Sequence, residues 1–261
     1  MDFGIQGRVA LVSGAGGGLG RAIALALAAE GAKVAVCGRT QSALDETVAL
    51  IEERGGSARA WTLDLTRQDT FDAVLAAIRA ALGPVGILVN NSGGPQPSGA
   101  SGVAPEQWSA QFSAMVGSLI LLTDKVLPDM RAAGWGRIIT STSSGIIAPI
   151  ANLGMSNTLR IALAGWSKTL AAEVARDGIT VNVMVPGRIA TRRVGQLDAA
   201  RAGREGVSVE DVAAKSAAAI PAGRYGNPEE YGAVAAFLAS RQASYLTGSA
   251  IRVDGGMIPS I

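Results

Sequence analysis

Short apolar runs alternate along this chain with longer amphipathic stretches. The runs predict strands near Val9–Ser13, Lys33–Cys37, Ala58–Thr62, Gly86–Asn90, Gly136–Ser141, Thr180–Val185 and Ser249–Val253. Between them, apolar positions recur at helical spacing over Gly18–Ala29, Gln41–Arg54, Gln68–Leu82, Pro105–Ala133, Asn152–Arg176 and Pro228–Ser240. A strand–helix alternation of this kind predicts an α/β fold, a doubly wound parallel sheet of about seven strands covered by helices on both faces. The rhythm fails after Pro186. That Ala/Arg-rich stretch is helical by pattern only over Val209–Ala219, and residues 188–221 read as a lid. No linker, repeat or low-complexity tract interrupts the pattern, which predicts one domain over residues 1–261.

Where the first strand meets the first helix stands Ser13-Gly14-Ala15-Gly16-Gly17-Gly18-Leu19-Gly20. A chain that turns through glycines into a helix leaves backbone N–H groups unpaired at the positive end of the helix dipole, and the glycines let an anion come close. Position between strand and helix marks this as a cradle for the pyrophosphate of a dinucleotide. The spacing is G-x-x-x-G-x-G at Gly14, Gly18 and Gly20. It differs from the commoner G-x-G-x-x-G, and no Lys-Ser/Thr follows to make an NTP-type loop.

Composition narrows the chemistry. There is no histidine, which removes an imidazole base, a Ser-His-Asp triad and His-ligated metal sites together. The single cysteine, Cys37, allows no internal disulfide; it reads as a small core residue and suits a reducing, cytoplasmic setting. A net charge of +2 gives no reason to expect nucleic acid or a membrane surface as partner. No uninterrupted apolar run reaches membrane-span length, and Asp2 and Gly4 do not suit a signal peptide.

In a doubly wound sheet the ligand lies beyond the carboxyl ends of the strands, so those ends outline the site. After the second strand comes Gly38-Arg39-Thr40. Arg39 stands where an acidic residue would select NAD, and its forked cation favours a 2′-phosphate, hence NADP(H) over NAD(H). Asp64-Leu65 follows the third strand and suits an adenine amino group. Asn90-Asn91-Ser92-Gly93-Gly94 follows the fourth, and Ser141-Thr142-Ser143-Ser144 the fifth.

Together these landmarks resemble the short-chain dehydrogenase/reductase superfamily over nearly the whole chain, with its Rossmann-like fold. The glycine turn is similar to Thr/Ser-Gly-x-x-x-Gly-x-Gly, Asn90-Asn91-Ser92-Gly93 to Asn-Asn-Ala-Gly, and Pro186-Gly187 with Thr191 to Pro-Gly-x-x-x-Thr beside the nicotinamide. Pro221 to Glu230, and Tyr245-Leu-Thr-Gly with Val253-Asp-Gly-Gly256, resemble the ending of 3-oxoacyl-carrier-protein reductases. The resemblance implies cofactor contacts from Ser13, Gly14, Gly16, Gly17, Gly18, Leu19, Gly20, Arg39, Asp64, Leu65, Asn91, Ser92, Gly93, Arg160, Pro186, Gly187, Ile189 and Thr191. It also implies a homo-oligomer, dimer or tetramer. The apolar positions Leu159, Ile161, Leu163 and Trp166 around the long helix fit either a partner subunit or the core.

The catalytic centre departs from the family. The resemblance implies Ser143 as the serine of the Ser-Tyr-Lys set, but the family spacing, fixed by Ala162-Leu-Ala-Gly165, puts Ser156 at the tyrosine and Arg160 at the lysine. A shift by one gives Met155 and Leu159. Ala114, before Gly117, stands where the family has Asn, and the three tyrosines Tyr225, Tyr231 and Tyr245 all lie near the C-terminus. A serine hydroxyl is a far weaker acid than a phenol, and arginine stays charged. Ser156 and Arg160 share a helix face and, with Ser143, suit binding of a developing alkoxide while water supplies the proton. The leading expectation is therefore an NADP(H)-dependent oxidoreductase of a small carbonyl/alcohol pair, an acyl thioester included. A dinucleotide-binding sensor or oligomer subunit with little turnover, and a lyase or isomerase, remain alternatives. Arg188, Arg192 and Arg193 open the lid and suit either an acidic substrate or carrier or a solvated face.

Overall fold

The computed structural model describes residues 2–260. Seven strands form one parallel sheet: β1 (Val9–Val12), β2 (Lys33–Gly38), β3 (Ser57–Thr62), β4 (Val85–Asn90), β5 (Gly136–Ser141), β6 (Ile179–Pro186) and β7 (Ala250–Val253). Their spatial order is β3-β2-β1-β4-β5-β6-β7. The chain runs outward from β1 to β3, crosses back to β4, then runs outward the other way. Strand order thus reverses between β1 and β4, and a crevice opens beyond their carboxyl ends.

Nearly continuous apolar strands follow from burial on both faces. Ala10 and Val12, Val34 and Val36, and Ile87 and Val89 meet α1 (Gly18–Ala29), α2 (Gln41–Glu52) and α9 (Pro228–Ala239) through Ile23, Leu27, Leu44, Ile51 and Leu238. The alternate residues Val9, Leu11, Ala35, Leu88, Ile138 and Val181 face α3 (Phe71–Leu82), α5 (Ser118–Ala132) and α6 (Gly154–Val174). Cys37 belongs to this second layer, and burial pushes its thiol up to about 12.

Each expected strand and helix is present, with ends moved by a few residues. The segment expected as one helix over Pro105–Ala133 is α4 (Pro105–Phe112) joined to α5 through a π-turn at Ser113–Gly117. By length and average hydropathy, Pro105–Ala132 would be able to cross a membrane. Instead Leu119, Leu122, Val126 and Met130 pack into the core, and Lys125 pairs with Asp72. On α6, Leu159 and Leu163 are core residues, Trp166 is partly buried, and Ile161 is exposed.

Residues 188–221 hold two helices, where the apolar pattern marks only the second. The first, α7 (Arg192–Glu205), buries little beyond Asp198 and Ala202, so it lacks an apolar period; Thr191 caps it by accepting from the N–H of Val194. The second, α8 (Val209–Ala218), is capped by Ser208.

Candidate active site

The glycine turn sits at the mouth of the crevice. The backbone N–H groups from Gly16 to Gly20 find no acceptor among the described residues, and no side chain caps α1. Gly14 takes φ +63, and a Cβ there would stand 2.6 Å from Asn91 Nδ2. A Cβ on Gly20 would overlap the Gly14 carbonyl oxygen. A bare row of donors at a helix N-terminus, in a turn where Gly14 and Gly20 leave no room for a side chain, fits a dinucleotide diphosphate.

Two sets of bonds hold the turn. Ser13 Oγ accepts from the N–H of Asn91 at 2.9 Å, and Asn91 Nδ2 donates to the Ser13 carbonyl at 3.1 Å, tying the end of β1 to the loop after β4. On the opposite side Arg21 donates from Nη2 to the Gly16 carbonyl at 2.8 Å and from Nε to Thr47 Oγ1 at 2.9 Å, and Thr47 in turn donates to the Ala15 carbonyl. This second brace was absent from the expected set. Its one signal in the sequence is the arginine directly after Gly20; Thr47, far along the chain, carries none.

Arg39 is exposed at the end of β2 and forms no ion pair among the described residues. Asp64 accepts at Oδ1 from the N–H and hydroxyl of Thr66, which hold its carboxyl below the usual range, with Arg39 and Arg67 adding to the effect. Thr191 closes over the turn: a Cβ on Gly18 would lie 3.7 Å from its methyl group. Ile189 is buried beside Gly226, and Pro186 and Gly187 end β6 against β7.

At the other end of the crevice, Ser143 begins a short turn over Ser144–Ile146 and accepts from the N–H of Gly145. That turn rests on α6, where a Cβ on Gly145 would overlap Asn157 Oδ1. Ser156 and Arg160 lie one turn apart on α6, both nearly buried. The Ser156 hydroxyl makes no hydrogen bond among the described residues. Arg160 donates to three carbonyls at 3.3 Å each, those of Ser141, Ser92 and Gly93, and meets no carboxylate. Burial lowers its guanidinium to about 10; Tyr231 opposes the shift and the charge on Arg193 adds to it.

No phenol reaches this end of the crevice in place of the family acid. Tyr231 Oη lies 2.9 Å from Ser141 Oγ, but both groups are buried, and burial pushes the phenol above its usual range. Tyr225 is engaged by Arg188 and Asp198, and Tyr245 is fully exposed. Of the two readings open for Arg188, an acidic substrate or a solvated face, the structure gives neither directly: Asp198 and Tyr225 take up its guanidinium within the segment itself. Arg192 is exposed, and Arg193 reaches the Pro95 carbonyl at 3.1 Å. No cluster of three metal-ligating side chains occurs among the described residues.

A family model described as enoyl-(acyl carrier protein) reductase matches residues 14–258, the span from the glycine turn to the C-terminal segment. The chain is a short-chain dehydrogenase/reductase. Among relatives of this short-chain dehydrogenase/reductase, 3-oxoacyl-(acyl-carrier-protein) reductase FabG of Escherichia coli (strain K12) is 37% identical over 259 residues, 98% of this chain and 99% of the relative. Short-chain reductase protein NovJ of Streptomyces niveus is 38% identical over 253 residues, 96% of this chain and 94% of NovJ. The crystal structure of L-sorbose reductase from Gluconobacter frateurii, complexed with NADPH and L-sorbose, superposes with a TM-score of 0.93 at 33% identity and full coverage of both chains. YwfH, an NADPH-dependent reductase involved in bacilysin biosynthesis, gives a TM-score of 0.92 at 31% identity, covering 97% of this chain and 99% of its own. This short-chain dehydrogenase/reductase thus belongs to an oxidoreductase family and shares its Rossmann-like fold.

Proposed function

We propose that this protein is an NADP(H)-dependent reductase that interconverts a ketone and a secondary alcohol. The observation that carries the reading is the shared crevice: the bare N–H row of the glycine turn, Asn91 and Arg160 all border the reversal between β1 and β4. Gly14, Gly16, Gly17, Gly18, Leu19 and Gly20 cradle the diphosphate, Asp64 and Leu65 meet the adenine, and Asn91, Ser92, Gly93, Pro186, Gly187, Ile189 and Thr191 line the nicotinamide half. Arg39, exposed and in no ion pair among the described residues, takes the 2′-phosphate. NADPH is also what L-sorbose reductase and YwfH use.

When bound, the dinucleotide supplies the hydride. The chain's own residues handle the substrate oxygen. Ser143 and the unengaged Ser156 hydroxyl donate to it, and the Arg160 cation stabilises the negative charge that grows there. Arg160 keeps its proton at neutral pH, so water delivers the proton that completes the alcohol. A well-placed general acid contributes about 10²–10⁴-fold, so a centre without one is slow but competent. Residues 188–221 act as the lid, and the exposed Phe112 and Ile161 favour pairing of two copies.

The absence of a phenol from the crevice favours a second reading, a dinucleotide-binding protein with little turnover. Turnover decides between them. Ketones, 3-oxoacyl thioesters included, are screened with NADPH, and secondary alcohols with NADP⁺, following nicotinamide absorbance. The reductase reading expects activity that falls in Ser143→Ala and Arg160→Ala; binding of NADPH without turnover on any substrate defeats it.

A further inference from the structure

Arg160 and Arg193 come from separate elements, α6 and the first turn of α7, yet their guanidinium groups converge on one point. A Cβ on Gly94 would lie 3.7 Å from Arg160 Nη2 and 3.8 Å from Arg193 Nη2. Neither arginine pairs with a carboxylate among the described residues; their side chains donate to backbone carbonyls, Arg160 to Ser141, Ser92 and Gly93 and Arg193 to Pro95, three of the four on the loop after β4. That loop also holds a buried Ser92 Oγ with no partner. The exposed Arg193 and the buried Arg160 repel across the gap between them, and a buried cation without a counter-ion is costly. Such a pair is stabilised by an anion between them. The dinucleotide diphosphate is provided for elsewhere, by the free N–H row from Gly16 to Gly20. Gly94 instead lies on the loop after β4, just past Asn91, Ser92 and Gly93, which the reductase reading sets beside the nicotinamide.

We infer that Arg160 and Arg193 form a carboxylate clamp, and that the substrate is an oxo acid whose free carboxylate lies over Gly94. The inference rests on the reductase reading and narrows it, from ketones in general to charged oxo acids rather than neutral thioesters. A planar carboxylate offers two oxygens, one to each guanidinium fork. Arg193 belongs to α7, so a bound carboxylate would also draw that helix toward the loop after β4.

The test uses the whole protein with three oxo acids, 2-oxobutanoate, acetoacetate and 4-oxopentanoate, each beside its methyl ester. Acid and ester share the ketone and differ in charge. The expected result is that kcat/KM favours at least one acid over its ester by roughly ten- to a hundredfold. That ratio collapses in Arg193→Met and persists in Arg192→Met, which removes the same charge next door. Equal use of acid and ester, or a ratio that survives Arg193→Met, overturns the clamp. So does a loss in Arg193→Met that falls on NADPH affinity and leaves the ratio intact. If no compound turns over, calorimetric titration of the NADP⁺-loaded protein with the same acids still decides. Carboxylate binding lost in Arg193→Met upholds the clamp while the reductase reading fails; no carboxylate binding overturns the clamp itself.

Discussion

The hydroxyl of Ser13 accepts a hydrogen bond from the N–H of Asn91 at 2.9 Å, and the Asn91 side chain returns one to the Ser13 carbonyl at 3.1 Å. This reciprocal pair joins the ends of the two strands between which strand order reverses, and it fixes the glycine turn relative to the loop whose Ser92 and Gly93 carbonyls accept from Arg160. Ser13 is buried, so Ser13→Ala leaves the Asn91 N–H without its acceptor. The expected cost is about 1–3 kcal/mol of stability. Urea unfolding measures it, and NADPH titration should show weaker binding in the same variant. Full stability with full affinity would mean that the pair does not set the turn.

Gly20 tests the turn from within. Its missing side chain allows the Gly14 carbonyl to approach, and no rotamer change relieves an overlap between a Cβ and a backbone oxygen. Gly20→Ala must therefore open the turn. The expected outcome is loss of NADPH binding by calorimetry with the helical circular dichroism signal retained, because α1 and α9 still pack through Ile23, Leu27 and Leu238. Gly165→Ala, on α6, is the control: nothing lies within 4 Å of its absent Cβ.

Arg39 governs the choice of dinucleotide if its free cation meets a 2′-phosphate. Arg39→Asp replaces that attraction with repulsion and offers a carboxylate to ribose hydroxyls. The ratio of Kd values for NADPH and NADH should move toward NADH by roughly tenfold or more. An unmoved ratio removes Arg39 from the site.

The layout of strands was legible because burial on both faces turns each into an apolar run, and the runs are separated by amphipathic helices. The glycine turn was legible because its function depends on residues having no side chain, a local property. Other features depend on partners remote in sequence. The Arg21–Thr47 brace links positions in different elements, and no pattern in either announces it. Helix α7 escaped because little of it is buried, which removes the apolar period on which such a reading depends. Arg188 was open to two readings until Asp198 and Tyr225 were seen to engage it. The π-turn at Ser113–Gly117 adds one residue to a helical turn without altering the run of apolar residues around it.

The weakness of the proton donor is itself testable. If Ser156 and Arg160 limit the rate because neither is a suitable acid, then Ser156→Tyr with Arg160→Lys should raise kcat on an accepted ketone by up to about 10²–10⁴-fold. Stopped-flow single turnovers separate this from faster product release. A folded double variant no faster than the parent would show that the proton step does not limit turnover.

Glu230 gives an acid-range prediction outside the site. Its carboxylate accepts from Arg224 at 2.7 and 2.8 Å and from the N–H of Asn227 at 2.7 Å, where α9 begins. Those bonds, Arg224 first, lower its pKa from 4.5 to about 2. A depressed folded value means that protonation favours the unfolded chain. The stabilisation is therefore complete above 4.5 and fades as pH falls from there toward about 2. Glu230→Gln lacks the charge at every pH. Its melting temperature should lie below that of the parent at neutral pH, and the gap should close as pH drops through that window. Since the group is exposed, salt should narrow the neutral-pH gap as well. A gap that stays constant down to the acid limit would place the effect in amide geometry rather than in charge.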